Sequence, residues 1–438
     1  MGFFEKVRTK SFWAFDAVKG GVVRKYVDDI ESIFNSQNKE ETKVVVNNYL
    51  DSLKQHATST VPFYKNYENA DFLELPVVSK KQIVTNYDSF YSKGYNASDC
   101  VVKSTSGSTG EPFKVRQDLN KVRRNNADTI FFSKLVGYNI GYPLYFIRFW
   151  DVSLRKSGVD AFLQNIKPYE IIGLNEALIS EFCRDISKKD KTKKSILAYS
   201  SGFDKLVNYL EDSEKKYDFS QVSSLIAMSE ALSDTTKKKA AHFFNVPIVS
   251  RYSNTENGII AQQLHHPDFP NRFYINTASY YVEIVHLEND KPADHGTVGR
   301  IVVTDLFNYA MPLIRYDTGD LGVMNVDEHG TPFLERIEGR IMDAIFNTKG
   351  DLVSSFIPTH LEEYPGIIEY QFDQISEKGY AIFLVINNKF KAEQDILDYM
   401  KTHFGQDANI QINYIDSIPL LSSGKRKKVL NTFKNPID

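Results

Sequence analysis

Cysteine, long apolar runs and a surplus of basic residues are scarce or missing in this sequence. Only Cys100 and Cys183 occur among its 438 residues. Two cysteines cannot build a disulfide framework or a cysteine-rich metal site, so we expect a reducing, cytoplasmic setting. The sequence has no run of about 18 apolar residues, which argues against a membrane-spanning helix. With a net charge of −3, no basic surplus predicts nucleic acid as a partner.

The first residues also lack the apolar run of a secretion signal. They are instead rich in aromatic side chains, namely Phe3, Phe4, Phe12, Trp13 and Phe15. Such side chains could make weak peripheral contact with a membrane surface. We favour the alternative that they pack against the main body of the protein. The sequence does not indicate an oligomeric state.

The length exceeds what one compact core usually holds, so we expect two or more domains. The first hundred residues mostly predict helices. Beyond them, short apolar runs such as 195–199 and 246–249 alternate with helical patterns such as 203–211, which predicts a largely parallel, layered α/β core. Residues 271–303 predict a small β subdomain. After about residue 340 the pattern predicts a separate, compact α+β module.

The most informative segment is a loop of small and hydroxylated residues: Ser104, Thr105, Ser106, Gly107, Ser108, Thr109 and Gly110. Its glycines let the backbone approach a phosphate, while hydroxyl and N–H groups can face the phosphate oxygens. The flanking residues predict two strands, and no lysine follows Gly110. The Walker pattern GxxxxGK[ST] therefore does not apply, which argues against a P-loop kinase. A plain Ser/Gly-rich turn is the alternative interpretation.

Two later segments place a carboxylate beside small polar residues. Residues 251–258 (RYSNTENG) follow a predicted strand, and ligands collect at the carboxyl ends of strands in open α/β sheets. Within them, the Thr255 hydroxyl beside the Glu256 carboxylate suits a phosphate held together with Mg²⁺. Residues 315–320 (RYDTGD) predict a tight Thr-Gly turn whose Asp320 could accept both ribose hydroxyls of a nucleotide. A helix start and an ordinary β-turn are the respective alternatives.

Two further signals lie toward the carboxyl end. Gly339-Arg340, followed by Asp343, stands at the predicted junction between the domains. Residues 421–425 predict a mobile loop that carries Lys425. By itself a lysine-rich segment is usually just solvated.

In order and spacing, these five segments resemble the adenylate-forming superfamily of acyl-CoA synthetases, nonribosomal-peptide adenylation domains and luciferases. The resemblance spans residues 104–425. The short length and the helical amino-terminal region look like the phenylacetate–CoA ligase branch, and residues 251–258 are similar to capsule-biosynthesis, CapK-like members of it. The resemblance implies an α/β fold with a large layered adenylation domain, residues 1–340, and a small mobile α+β domain, residues 341–438.

The resemblance also implies roles for individual residues. Residues 104–110 would hold the β- and γ-phosphates of ATP, and the turn Ser229-Glu230-Ala231 would pack against the adenine. Thr255 would contact the α-phosphate and Glu256 would bind Mg²⁺ as the metal ligand. The other nucleotide-binding positions implied are Arg251, Tyr252, Ser253 and Asn254, with Asp320 on the ribose and Arg340 supporting it. Lys425 would bridge the substrate carboxylate and the α-phosphate, so that Lys425, Glu256 and Thr255 are the implied catalytic residues.

The activity implied is the ATP-dependent conversion of a carboxylic acid into an acyl-adenylate and pyrophosphate. The acyl group would then pass to CoA, or to an amine on a sugar or amino acid in capsular polysaccharide biosynthesis. Met342 stands where the family usually has a pivotal Asp, and this departure favours an amine over CoA as the acceptor. A nucleotide-binding scaffold without catalysis is the alternative from another class. The sequence does not identify the acid.

Overall fold

A computed structural model describes residues 2–36, 38–104, 113–150, 158–190, 192–421 and 426–434. Its helices are α1 Phe3–Val18, α2 Val22–Asn35, α3 Lys39–Thr60, α4 Lys80–Thr85, α5 Leu119–Lys134, α6 Gly158–Leu163, α7 Glu176–Ile186, α8 Ser200–Asp212, α9 Asp234–Phe244, α10 Phe356–Thr359 and α11 Glu393–Phe404. Short 3₁₀ turns lie at Pro62–Tyr67, Phe72–Glu74, Tyr87–Phe90, Ala97–Asp99, Ile341–Asp343 and His360–Glu363.

The strands follow the same chain order. They are β1 Val78–Ser79, β2 Cys100–Ser104, β3 Lys114–Asp118, β4 Leu144–Arg148, β5 Ile166–Glu170, β6 Lys194–Tyr199, β7 Val222–Met228, β8 Ile248–Asn254, β9 Gly258–Gln263, β10 Phe273–Ile275, β11 Tyr280–Val285, β12 Val298–Asp305, β13 Tyr316–Val326, β14 Pro332–Arg340, β15 Ile345–Phe346, β16 Leu352–Val353, β17 Ile367–Gln374, β18 Gly379–Ile386, β19 Asn409–Tyr414 and β20 Val429–Leu430.

Twelve of these described strands form one large sheet, in the order β11-β12-β13-β14-β10-β9-β8-β7-β6-β4-β5 with β1 beside β13. Within this sheet, the five strands β4 to β8 pair in parallel with one another. The strands β9 to β14 pair antiparallel with one another, and β1 pairs in parallel with β13. We call these the parallel half and the antiparallel half. The predicted α/β fold is thus confirmed, but residues 271–303 are not a separate subdomain. Their strands continue the same sheet through backbone pairing.

The parallel half is covered on both faces, because its strands carry apolar residues at successive positions. Every residue of β6 is buried. Ile196 and Ala198 pack with α7, α8 and α9, while Leu197 packs on the other face with Ile226 and Val249. The strong apolar signal of this strand and its neighbours therefore came from two-sided burial.

The carboxy-terminal part has its own sheet, in the order β19-β18-β17-β20. The buried residues of its core all fall within 345–408, including Phe372, Ile382 and Phe404. We call residues 341–434 the small unit. The predicted boundary at residue 340 stays a prediction.

The amino-terminal helices differ from expectation in one respect. Phe12 and Trp13 are partly buried against α2 and α5, as predicted. Phe3, Phe4 and Phe15, by contrast, are 76%, 78% and 60% exposed, so they do not pack against the main body. Within the described residues, no helix is long and apolar enough to cross a membrane.

Candidate active site

The turn Thr255–Asn257 joins the two halves of the large sheet. It connects β8, which pairs in parallel with β7, to β9, which pairs antiparallel with β8. The Asn254 Oδ1 accepts a 2.8 Å hydrogen bond from the Asn257 N–H, which closes the turn. Residues 251–254 were predicted as loop, yet they extend β8. The corrected arrangement of the segment is strand, three-residue turn and strand.

Gly258 ends this turn with φ +112°, a conformation that L side chains rarely adopt. A Cβ atom there would lie 2.6 Å from Asn125 Oδ1 and 3.0 Å from the Tyr280 hydroxyl. The Tyr280 hydroxyl also donates to the Asn257 carbonyl. The turn therefore packs closely against polar side chains of α5 and β11.

Glu256 is buried at this turn, with 7% of its surface exposed. Its Oε1 accepts a 2.8 Å hydrogen bond from the Tyr316 hydroxyl, and its carbonyl accepts one of 2.9 Å from Gln117 Nε2. Burial raises the pKa of the Glu256 carboxyl, while hydrogen bonding and the Arg340 charge oppose that rise. Thr255 beside it is exposed. The turn thus presents a fixed carboxylate next to an accessible hydroxyl.

Two asparagines at the same turn carry buried amide atoms. The Nδ2 of Asn254 and both polar side-chain atoms of Asn257 are buried and have no hydrogen-bond partner among the described residues. Leaving such a group unsatisfied costs about 1–3 kcal/mol. This cost favours a polar ligand or water beside the turn.

Asp320 and Arg340 are cross-strand partners on β13 and β14. The Asp320 Oδ1 lies 3.0 Å from Arg340 Nε, and its Oδ2 accepts a 2.7 Å hydrogen bond from the Tyr252 hydroxyl. Half of the Arg340 side chain is exposed, and the Asp320 charge raises its pKa. The structure therefore brings together Tyr252, Asp320 and Arg340, which were predicted to bind the nucleotide.

The segment that presents Asp320 is not the isolated turn that was predicted. It lies inside β13, where residues 318–320 form a bulge opposite Ile301 of β12. Gly319 has φ +75° there, and its N–H donates to Asp317 Oδ1 at 2.8 Å. The same residue types that favour a turn favour a bulge within a strand. Asp320 lies at the end of this bulge, opposite Arg340 of β14.

The sequence did not indicate that Tyr316 and Lys80 contribute to this site. Tyr316 stacks on Phe113 with ring centroids 6.0 Å apart, and the Lys80 ammonium lies 5.8 Å from the Phe113 ring centroid. Burial lowers the pKa of Lys80, and the Glu256 charge opposes that shift. Lys80 thus adds a cation within electrostatic range of Glu256. The pairing of β1 with β13 brings it there.

The only local signal for Lys80 was the capped helix start before it. The Ser79 side chain accepts from the Gln82 N–H, as in a capping box. That pattern predicts where α4 begins, but it does not predict which distant strand lies alongside.

The predicted turn at residues 229–231 follows β7. Ser229 has φ +72°, and Ser229 and Ala231 are exposed. The Glu230 carboxylate accepts hydrogen bonds from the backbone N–H of Ser201 at 2.9 Å and of Arg426 at 3.1 Å. Glu230 thus stabilises the amino-terminal turn of α8 and contacts the small unit. Its predicted contact with adenine stays a prediction.

Arg251 occupies a different place from the one predicted. Its guanidinium is buried, where Nε donates to Gln262 Oε1 at 2.7 Å and Nη2 donates to Ser133 Oγ at 3.0 Å. Burial lowers its pKa to about 10. Arg251 therefore ties β8 to β9 and α5 inside the fold, which does not fit direct nucleotide binding.

Most of the remaining predicted site residues lie at or beyond the limits of the described structure. Thr105 to Gly110 and Lys425 fall outside the described residues. Ser104 pairs with Lys114 across the antiparallel strands β2 and β3 that flank the loop. Ser253 is partly buried on β8.

The three cations after Lys425 are each bound to a different place. Arg426 Nη1 lies 2.8 Å from Glu369, and Lys427 Nζ lies 2.9 Å from Asp343. Lys428 Nζ lies 3.0 Å from Asp204 of α8 and 2.6 Å from Glu362 of the small unit. The segment is thus anchored to both parts of the protein, beside the turn that holds Glu230.

Comparisons with known proteins agree with this architecture. The family model of the CapK C-terminal domain matches residues 345–432. Protein CapK of Staphylococcus aureus is 23% identical over 386 residues, covering 83% of this chain and 81% of that protein. The crystal structure of 2-hydroxyisobutyryl-CoA ligase in the postadenylation state, in complex with R3-HIB-AMP, has a TM-score of 0.69 at 14% identity and covers 91% of each chain. ATP-bound MatB from Rhodopseudomonas palustris has a TM-score of 0.58 at 15% identity and covers 78% of this chain and 69% of that one.

The chain therefore shares the fold of 2-hydroxyisobutyryl-CoA ligase. Residues 345–432 match the CapK C-terminal domain, and the chain is similar to protein CapK over most of its length.

Proposed function

We propose that this protein is an ATP-dependent ligase that converts a carboxylic acid into an acyl-adenylate. The observation that carries the proposal is the pair of fixed carboxylates, Glu256 and Asp320, each held by a tyrosine hydroxyl from the opposite half of the sheet. A metal-binding carboxylate and a ribose-binding carboxylate are what ATP requires of such a site. The similarity to ligases crystallised with ATP or an acyl-adenylate supports the same conclusion.

Glu256 fits a magnesium ion. Among the described residues, no group of three or more His, Cys, Asp or Glu could form a metal cage made of protein alone. Magnesium is commonly held by one or two carboxylates, with substrate phosphates and water completing its shell. When bound, Mg²⁺ would neutralise phosphate charge while a carboxylate approaches the α-phosphorus.

The chain's own residues would do the remaining work. Thr255 would donate its hydroxyl to the α-phosphate, and Asp320 would accept the ribose hydroxyls while Arg340 orients it. The loop of residues 104–110 would hold the departing pyrophosphate. Lys425 would neutralise the approaching carboxylate. We propose these roles because a reaction between two anions needs positive charge and hydrogen-bond donors rather than a protein nucleophile.

The site for the acid is proposed to lie between the end of β4 and Tyr252. Arg148 at the end of β4 donates to the Phe149 carbonyl at 3.0 Å and lies 5.5 Å from each of the Phe146 and Trp150 ring centroids. It is therefore positioned by its own neighbours. Arg155 lies outside the described residues.

The test is carboxylate-dependent exchange of labelled pyrophosphate into ATP, measured with a panel of aromatic, amino and uronic acids. We expect exchange with at least one class of acid and its loss in Glu256→Gln. The exposed carboxylate variant Glu328→Gln serves as the matched control. Absence of exchange across the whole panel would instead support a nucleotide-binding scaffold without catalysis.

For the second half-reaction, we propose transfer to CoA, with transfer to an amine of a sugar or amino acid in capsular polysaccharide biosynthesis as the second candidate. Met342 in the segment after Arg340 and the similarity to protein CapK favour the amine. In either case the small unit would turn about Gly339, whose φ of +96° is readily adopted only by glycine. Turnover that requires CoA and no amine would exclude the amine candidate, and the reverse result would exclude CoA.

A further inference from the structure

The outward side of helix α1 is apolar, although a surface helix normally exposes its polar side. Phe3, Phe4, Val7, Phe15 and Val18 are between 44% and 87% exposed. At 3.6 residues per turn, positions 3, 7, 14 and 18 fall in one row and positions 4, 11 and 15 in the next. These two adjacent rows, with the small residues Ser11 and Ala14 among them, form a continuous strip that we call the α1 outer face.

The acidic residues of α1 point the other way. Glu5 and Asp16 are 2% and 8% exposed. Glu5 accepts a 2.7 Å hydrogen bond from the Lys193 N–H, and Asp16 accepts hydrogen bonds from the backbone of Val23 and Arg24 at the start of α2. Both carboxylates are thus used to attach α1 to the protein, which leaves its apolar strip directed outward.

Basic residues flank the α1 outer face. Lys6 and Lys10 are exposed along one edge of the strip. On the other edge, Arg8 donates to the Phe162 carbonyl at 3.0 Å and stacks on the Phe162 ring, which is itself 68% exposed. Lys19 ends the helix with its ammonium 4.2 Å from the Phe15 ring centroid. The outward side of α1 therefore carries apolar, small and basic side chains.

We propose that the α1 outer face docks this protein on a bilayer that contains anionic lipids. Aromatic and aliphatic side chains with cations at their edges suit the boundary between headgroups and acyl chains, where the apolar groups are buried and the cations meet lipid phosphates. At about 1.5 Å per residue, the helix is long enough to lie on this boundary but not to cross it. The proposal does not depend on the ligase activity.

The charge distribution separates this occupant from a second copy of the chain. A twofold contact that packs the two copies of this helix antiparallel would bring the same edge of each copy close to its counterpart. Lys6 and Lys10 would then face like charges, with both acidic residues of α1 turned inward. Anionic headgroups, in contrast, complement the same edge.

The experiment is sedimentation of the full-length protein with phosphatidylcholine vesicles, with and without about one-quarter phosphatidylglycerol. We expect at least roughly tenfold stronger binding to the anionic vesicles at low salt, weakened as salt rises. The triple variant Phe3→Ser, Phe4→Ser and Phe15→Ser is expected to lose at least about tenfold of that binding. The double variant Lys6→Glu and Lys10→Glu should lose the preference for anionic vesicles.

The control replaces two exposed apolar residues on the small unit, Phe356→Ser and Ile368→Ser, and should bind vesicles like the unchanged protein. Circular dichroism melting of all variants checks that the fold is retained. Equal binding by the triple variant, or no binding by the unchanged protein, would overturn the proposal. So would a self-associating protein whose oligomers, measured by sedimentation equilibrium, disappear in the triple variant while no vesicles are bound.

Discussion

The parallel and antiparallel halves of the large sheet contribute to the candidate site in different ways. The parallel half offers groups where strands end, such as Glu230 after β7 and Glu256 after β8. The antiparallel half offers groups from within paired strands, such as Asp320 on β13 opposite Arg340 on β14. Strand ends leave backbone free to contact a ligand, whereas paired strands fix the direction of a side chain.

Each of the two carboxylates accepts its tyrosine hydrogen bond from the other half of the sheet. The Tyr316 hydroxyl of the antiparallel half donates to Glu256, and the Tyr252 hydroxyl of the parallel half donates to Asp320. The two hydrogen bonds run in opposite directions across the junction at the turn Thr255–Asn257. We therefore expect the geometry of the site to depend on both halves, which mutations of the four side chains can test.

The largest effect is expected for Glu256→Gln. Loss of the charge that would hold Mg²⁺ should lower the rate of pyrophosphate exchange by about 10²–10³-fold, the usual result of removing one charge-stabilising group. Exchange rates at saturating ATP and magnesium measure this effect. A fall smaller than about fivefold would show that the turn does not bind the metal.

Asp320→Asn should act mainly on ATP binding. Hydrogen bonds to a charged group contribute about 1.5–3 kcal/mol, so we expect the KM for ATP to rise by about 10- to 100-fold. The control is Glu335→Gln, an exposed carboxylate on β14 that bonds to Arg336. A normal KM in Asp320→Asn would remove this residue from the ribose site.

The two tyrosines give the sharpest test of the comparison. Tyr316→Phe should raise the Mg²⁺ concentration needed for half-maximal exchange by about 3- to 10-fold with little change in the KM for ATP. Tyr252→Phe should raise the KM for ATP with little change in the Mg²⁺ requirement, because its hydroxyl donates to Asp320. Titrations of both ligands on both variants separate the effects. Identical profiles for the two variants would mean that the halves do not hold each other's carboxylates.

The smallest effect concerns pH. Burial raises the pKa of Glu256 above its usual value, and the metal binds only the deprotonated carboxylate. Exchange should therefore fail as pH drops through a value above the ordinary range of glutamate. Tyr316→Phe removes a hydrogen bond that lowers this pKa, so its acid limb should move to higher pH. A pH profile of exchange for both proteins checks the direction.

The sequence predicted the fold and the order of the motifs well, because those signals are local. The buried strand β6 begins one residue before the predicted run 195–199, and helix α8 includes the whole predicted pattern 203–211, since both signals depend on neighbouring residues. Glu256 and Asp320 were found because each has small polar neighbours in the sequence.

What the sequence could not provide was the pairing between distant strands. Lys80 and Tyr316 reach the site through the register of β1 with β13, and no local pattern specifies which strands pair. For the same reason the segment at residues 315–320 was predicted as a turn, although its partners on β12 hold it as a bulge. The interior role of Arg251 likewise depends on Gln262 and Ser133, which lie elsewhere in the chain.

Lys428 has one carboxylate partner on each side of the boundary between the large sheet's helices and the small unit. If the small unit turned, Lys428 would leave Asp204 but keep Glu362, which travels with it. Asp204 would keep its hydrogen bond from the Thr236 hydroxyl on α9. The Lys428 ammonium and the Asp204 carboxylate would therefore each keep one polar partner during the movement. Release would break the Lys428–Asp204 ion pair and the hydrogen bond from the Arg426 N–H to Glu230, two contacts that together mark one orientation.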